Sequence, residues 1–226
     1  MEGVERNYRL KRSTLRRTLA LSVGAQGLVV YAPWALPVCR VEKFMLDHAA
    51  WVAKKLAGQD DYALPRLGWR DGIRLRVLGE TVTLRLREDV PSIVMKDKVL
   101  YFPVHAVNSI QSTVIAWYQR TALSYFHERL TRFSELLTRQ PAALKLSSAS
   151  SRWGSCTKAG VIRVNWRLLQ ASRAEADYVL AHELAHLTHM NHSPAFWREV
   201  ARLYPGYDEA RALLRMQGHH YLQISL

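Results

Sequence analysis

Only two cysteines, Cys39 and Cys156, occur in the 226 residues. A disulfide framework is therefore excluded, and a reducing, cytoplasmic setting is the expectation. Long apolar runs are missing too: LVVYAPWALPV is cut by Pro33 and Pro37 and followed by Arg40, short of the roughly 18 residues a membrane span needs. The N-terminal MEGVERNYRLKRSTLRR carries charge without an apolar segment behind it, so no export signal is expected. Internal repeats and low-complexity tracts are absent. Acidic residues are scarce, 19 against 32 Lys and Arg, which leaves +13 at pH 7. Such a balance implies attraction to nucleic acid, anionic membrane surface or acidic protein, but it identifies no site.

What is present argues for a folded chain. Hydrophobic residues make up 49%, with ten tyrosines and seven tryptophans, enough for one good core with room for a second, smaller lobe. Alternating runs at 8–12, 18–23 and 28–31, with GAQG between the last two, read as strands and a hairpin. Helical spacing predicts a helix over 38–56, and GQDDYALPRLG is the best linker candidate. IRLRVLGETVTLRLRED alternates on both sides of Gly79-Glu80, which predicts a two-residue hairpin loop there. That register sets Arg74 opposite Arg85, with Arg76 and Arg87 on the same face. Four arginines so placed make either a wet outer face or an anion site, with nucleic acid as a possible partner.

A further hairpin is expected around Asp97-Lys98, then a long core helix over 106–138, broken at most once. ALKLSSASSRWGSCTKAGVIRVNWRLL returns to strand pattern with a turn at 158–160. Helices follow at about 173–190, 194–204 and 207–216. Strands, helix, strands, long helix, strands, helices is the order of an α+β fold. The expected organisation is a β-rich portion with one helix over 1–104 and a catalytic portion over 105–226, or a single compact unit.

HELAHLTHMNH, residues 182–192, holds four of the nine histidines. Ser172 can cap the helix that carries it, with Glu175 completing a capping box. His182 and His186 then lie one turn apart on one face, where two imidazoles can meet one ion at roughly 2.0–2.1 Å. Glu183 points about 100° away from His182, poorly placed as a ligand but well placed to take a proton from an attacking water. A catalytic zinc needs a third protein ligand. His189 is an unsuitable one, because it stands about 10.5 Å from His182 along a straight helix. Asn191 can end the helix in the left-handed conformation and Ser193-Pro194 can start the next. His192 lies in that reversal, at the spacing of the H-E-x-x-H-x-x-G-x-x-H zincins, with His189 where they have glycine. His182, His186 and His192 are thus the expected ligands of one zinc per chain, Glu183 the expected acid and base, and His189 a supporting or pocket residue.

SRWGSCTKAGVIRVNWRLL followed by DYVLAHELAHLTHMNHSPAFW resembles the YgjP-like zinc metallopeptidase family, relatives of the SprT-like proteases. LRRTLALSV and GLVVYAP look like that family's opening strands, so the resemblance runs over about 9–214. It implies a zincin-like metallopeptidase core with an active-site helix beside a small sheet, zinc on the same three histidines and Glu183 as the catalytic acid and base, but it supplies no substrate; the peptide or protein substrate expected here rests on the motif's chemistry of amide hydrolysis. RWGSC and Asn165-Trp166-Arg167 also match the family's pattern. A strand beside the helix could bind substrate backbone by strand addition, Arg152 could stabilise an oxyanion, and Asn165 joins the candidate substrate-binding residues. Two other functions stay open: a small-substrate amidase or deformylase with Cys156 in place of His192, and a nucleic-acid-associated protein acting through Arg74, Arg76, Arg85 and Arg87. Oligomeric state is not expressed in the sequence. His219 and His220 are expected to be solvent-exposed rather than ligands.

Overall fold

The computed structural model describes residues 8–24, 27–53, 68–222 and 224. The chain divides into two compact units, Met1–Pro65 and Arg66–Leu226. The proposed linker falls at this division, and its residues 58–67 lie outside the described ones.

In the first unit β1 (Tyr8–Ser13) pairs in parallel with β3 (Gly27–Pro33), and β2 (Ala20–Gly24) pairs antiparallel with β3. Val30 and Ala32 of β3 close on Val41 of α1 (Val38–Asp47) in a small core. The helix expected to reach 56 stops at Asp47, because His48 leaves helical geometry at φ −114°, ψ 14° and its ring Nδ1 bonds the Phe44 carbonyl at 2.8 Å. Helical structure resumes over 49–53.

The second unit begins with a four-stranded sheet of order β4-β5-β7-β6, formed by β4 (Arg74–Val77), β5 (Glu80–Arg87), β6 (Val94–Lys96) and β7 (Val99–Pro103). The first hairpin turns at Leu78-Gly79, one residue earlier than expected, with φ of 49° and 84° at the two loop positions. That is a type I′ geometry, in which both loop residues take positive φ. Arg74 consequently faces Thr83, and Arg76 faces Thr81. No arginine stands directly across from another in this pair, so the like-charge cost expected of an Arg74–Arg85 pair is not incurred. The Asp97-Lys98 hairpin is as expected, again with positive φ at both positions.

A 3₁₀ turn (Val104–Ser109) with a kink at Ala106 leads into α2 (Ile110–Ser134). The long helix thus begins at Ile110 rather than 106, with the one break at its start. It buries Val114, Ile115, Trp117, Tyr118, Ala122, Tyr125 and Phe126. Leu75, Val77, Val82, Leu84, Leu100 and Phe102 of the sheet join the same core. A sheet must bury its apolar face against another layer, and this one does so within the second unit. The compact units divide at 65/66.

A three-stranded sheet follows, order β8-β10-β9, with β8 (Ala143–Ser147) parallel and β9 (Gly154–Cys156) antiparallel to β10 (Val161–Asn165). Three helices complete the unit: α3 (Arg173–Ala185), α4 (Pro194–Leu203) and α5 (Tyr207–Tyr221). Asp177 ties α3 to α2, accepting from Tyr125 at 2.9 Å and from Arg129 in a bidentate pair at 2.7 and 2.6 Å. Helix α5 runs five residues beyond the expected 216. Its end is held because the buried Tyr221 hydroxyl donates to the Glu175 carboxylate at 3.0 Å and the Tyr221 carbonyl accepts from Gln170 at 2.7 Å. Arg167, buried over the Trp166 ring, reaches the Ile224 carbonyl at 2.7 Å. Helices and small sheets segregated along the chain make this an α+β protein.

Candidate metal centre

Helix α3 starts where its sequence says it should. Ser172 Oγ accepts from the Glu175 amide at 3.2 Å and the Glu175 carboxylate accepts from the Ser172 amide at 2.9 Å, a complete capping box. The helix ends at Ala185, earlier than 190. The amides of Leu187 and Thr188 bond three residues back, to Leu184 and Ala185, so the last turn tightens. Asn191 does not take the left-handed conformation expected of it; among the described non-glycine residues only Leu78, Asp97 and Lys98 have positive φ. The chain reverses without it, and Ser193 caps α4 by accepting from the Phe196 amide at 3.4 Å, with Pro194 in the first turn.

This reversal carries His192 back to α3. One nitrogen from each of His182, His186 and His192 lies within 4.8 Å of the others. His192 Nε2 stands 3.1 Å from His182 Nε2, near the ~3.3 Å that separates two nitrogens bound tetrahedrally at zinc distances. His186 Nδ1 lies 2.9 Å from the His189 carbonyl oxygen. A carbonyl only accepts, so Nδ1 carries the proton and Nε2 keeps its lone pair for an ion. Phe196 and Trp197 of α4 pack on the cluster, with Trp197 stacked on His192 at 5.9 Å between ring centroids and Phe196 tilted against His186 at 4.5 Å. The donor set, the fixed tautomer and the nitrogen spacing all fit a metal ion. His189 enters through its main-chain oxygen, and its side chain is not one of the three.

Glu183 is buried beside the cluster, 5% exposed, and β9 shapes the space it occupies. A Cβ on Gly154 would meet Glu183 Cγ and Oε1 at 2.5 Å and Cδ at 2.7 Å. Only glycine at 154 leaves room for this carboxylate. Burial pushes the Glu183 carboxyl up to about 8, with Arg152 pulling the other way, while burial pushes His182 down to about 4, helped by His186 and His192. His186 is also lowered, again mainly by burial.

These shifts set opposite pH limits on the metal-free protein. Native Glu183 holds its proton between pH 4.5 and about 8 while the unfolded chain has lost it, so stability falls as pH rises through that window. Native His182 refuses a proton between about 4 and 6.5 that the unfolded chain takes up, so stability also falls as pH drops through that one. Thermal unfolding in chelator should therefore show Glu183→Gln more stable than wild type at alkaline pH, with the gap closing by about pH 4. Parallel pH profiles for the two proteins would contradict the assignment.

The remaining expected site residues separate. Arg152 is exposed, lines the groove next to the cavity and acts on Glu183 through its charge. Asn165 is fully buried; its amide donates to the carbonyls of Ala149 at 2.7 Å and Arg152 at 3.3 Å and its Oδ1 accepts from the Arg167 amide at 3.1 Å. It holds the 149–153 segment in place. Cys156 is not in the group that could hold a metal; its thiol donates to the Thr157 carbonyl at 3.4 Å, and burial pushes it up. The four arginines of β4 and β5 do lie on one exposed face, but Arg85 is paired with Asp71 at 3.0 Å and Arg87 with Asp89 at 2.6 Å. Half of that positive charge is thus already neutralised. His220 is exposed, as expected, and His219 is half-buried near it on α5.

Sequence reasoning missed several site residues. Trp153, Tyr178, Trp197, Leu214, Arg211 and Arg215 line a cavity of about 630 Å³ that opens on His182 and His192. A Cβ on Gly218 would come within 3.0 Å of Trp153 Cζ2, so this glycine lets the Trp153 ring lie against α5. The i, i+4 spacing of Arg211 and Arg215 was the one local signal available.

Three imidazoles that could hold a metal ion thus converge beside the buried carboxylate that α3 carries next to His182. The chain belongs to the YgjP-like metallopeptidase family, whose domain model matches residues 17–217. Part of it is similar to a solved structure, the metallopeptidase zymogen abylysin of Pyrococcus abyssi, with 28% identity over 41% of this chain and 95% of that one and a TM-score of 0.36. No curated protein matches the chain. No helix among the described residues is long and apolar enough to cross a membrane.

Proposed function

We propose that this metallopeptidase is a zincin-like zinc enzyme that hydrolyses peptide bonds, with one zinc per chain on His182, His186 and His192 and with Glu183 as general base and acid. The convergence of the three ring nitrogens within 4.8 Å carries the reading. A zinc ion held there supplies Lewis acidity, lowers the pKa of water to about 7 and favours the ionised form of the neighbouring Glu183 carboxyl.

The chain's own groups do the rest. Glu183, buried from bulk water, accepts the proton of the attacking water at its carboxylate and returns it to the leaving amine. The outer edge of β9 takes up an extended peptide backbone, since β9 pairs only with β10 within its sheet. Arg152, whose charge reaches Glu183, supplies a cation to offset the charge that develops on the carbonyl oxygen.

Elemental analysis of purified protein tests the metal assignment. One zinc per chain is expected in wild type and in Cys156→Ala, and a content well below one per chain in His192→Ala, which removes one of the three protein ligands. Loss of zinc in Cys156→Ala with retention in His192→Ala would favour the amidase reading instead. No metal after zinc is supplied would sink the assignment.

A further inference from the structure

The cavity beside the histidines has a composition that hydrolysis alone does not require. Besides His182 and His192, its only ionisable cations are Arg211 and Arg215, set among Trp153, Tyr178, Trp197 and Leu214. Beyond Trp153 the groove continues past Ser150, Ser151 and Arg152, sharing Leu214 and Arg215. No aspartate or glutamate lines either part.

Arg211 and Arg215 project from one face of α5, one turn apart, where like charges repel. Among the described residues no carboxylate lies within ion-pair distance of Arg211, Arg215 or Arg152, whereas Arg85, Arg87, Arg129, Arg132 and Arg202 each have one. Packing fixes Arg211: its guanidinium lies 4.3 Å from the centroid of Trp197, the ring that stacks on His192. The guanidinium is thereby held at the edge of the metal site with its donors uncommitted. Planar guanidinium groups pair with carboxylates in a bidentate fork.

Resting on the peptidase reading of the histidine cluster, we propose that this groove is a specificity subsite for a carboxylate on the peptide substrate, seated by Arg211 and Arg215, with an adjoining apolar side chain against Trp153, Trp197 and Leu214. The carboxylate comes from an acidic side chain or from a free C-terminus. Both offer the same chemistry to the two arginines.

The test is binding, read from tryptophan fluorescence because Trp153 and Trp197 line the cavity. The zinc-supplied Glu183→Gln protein is titrated with three N-acetylated hexapeptides: Ala-Ala-Phe-Ala-Asp-Ala amide, the same peptide with Asn for Asp, and the Asn peptide with a free carboxyl end. At low ionic strength at least one carboxylate peptide should bind about tenfold more tightly than the neutral one, and added salt should narrow the gap. Whichever carboxylate peptide shows the preference identifies its source. Arg211→Gln/Arg215→Gln should abolish the preference. Arg215→Gln alone, at an exposed position, should reduce it without disturbing the Trp197 stack. Equal binding of all three peptides, or a preference that survives both variants, overturns the subsite. A carboxylate preference in a protein whose wild type hydrolyses none of the peptides would count against the peptidase reading and leave the subsite standing. Hydrolysis of all three with equal binding would do the reverse.

Discussion

Glu183→Gln is expected to lower the rate of peptide hydrolysis by about 10²- to 10⁴-fold, the usual contribution of a positioned acid and base, while the bound metal stays. The three nitrogens that converge belong to His182, His186 and His192, and Glu183 leaves the helix in another direction, so the substitution removes no ligand. Glutamine has nearly the same shape and fits the space above Gly154, but its amide cannot take a proton from water. Zinc content and initial rate measured on one preparation decide the matter. A wild-type rate would remove Glu183 from the mechanism, and loss of metal would make it a ligand. The alkaline stability gain expected of the metal-free variant comes from the same burial that makes the carboxylate costly.

Gly154→Ala should damage the enzyme nearly as badly without touching an ionisable group. The added methyl would sit 2.5 Å from Glu183 Cγ and Oε1, a separation that no packed structure holds, so the carboxylate must move. Displacing a catalytic group by about 1 Å can cost on the order of 10²-fold in rate, and overpacking a filled site costs roughly 1–3 kcal/mol. The expected outcome is a large fall in kcat, a lower Tm and unchanged metal content. A double variant, Gly154→Ala with Glu183→Ala, separates the two effects: it should recover much of the lost stability, because the clash is gone, but none of the rate. Wild-type activity in Gly154→Ala would mean that Glu183 works from another position.

The metal half-site was legible because its determinants are local. A cap at Ser172, a glutamate three residues on and two histidines one turn apart all speak through helix geometry, and the structure reproduces that cap and helix start. His192 could be selected by spacing, and the reversal before Ser193 brings it within reach of the other two. The local signals failed where one residue of register mattered. The β4–β5 loop was read one position late because a leucine in the left-handed region is uncommon, yet Leu78 takes φ of 49° there while its amide donates to the Leu169 carbonyl at 2.6 Å. A tertiary hydrogen bond thus accompanies a conformation that local preference disfavours. The support that Asn165 gives the 149–153 segment is likewise a tertiary matter, since its side chain is fully buried and bonds the Ala149 and Arg152 carbonyls.

The sequence by itself determined an α+β chain, the helix that presents His182, Glu183 and His186, the candidate third histidine and the resemblance to a metallopeptidase family. The helix and the third histidine follow from periodicities and spacings within about ten residues, where backbone geometry leaves few alternatives, whereas the fold class rests on the order of the elements and the resemblance on motifs spread along the chain. Tertiary structure alone decided how deeply Glu183 is buried, that Gly154 of a neighbouring strand makes room for it, that the carboxyl end of α5 docks on α3 through Tyr221 and Glu175, and that Arg211 and Arg215 reach the same cavity as the histidines. Each of these joins residues that lie about twenty or more positions apart in the chain. Such encounters depend on how whole elements pack to bury their apolar faces, which no short window of sequence records.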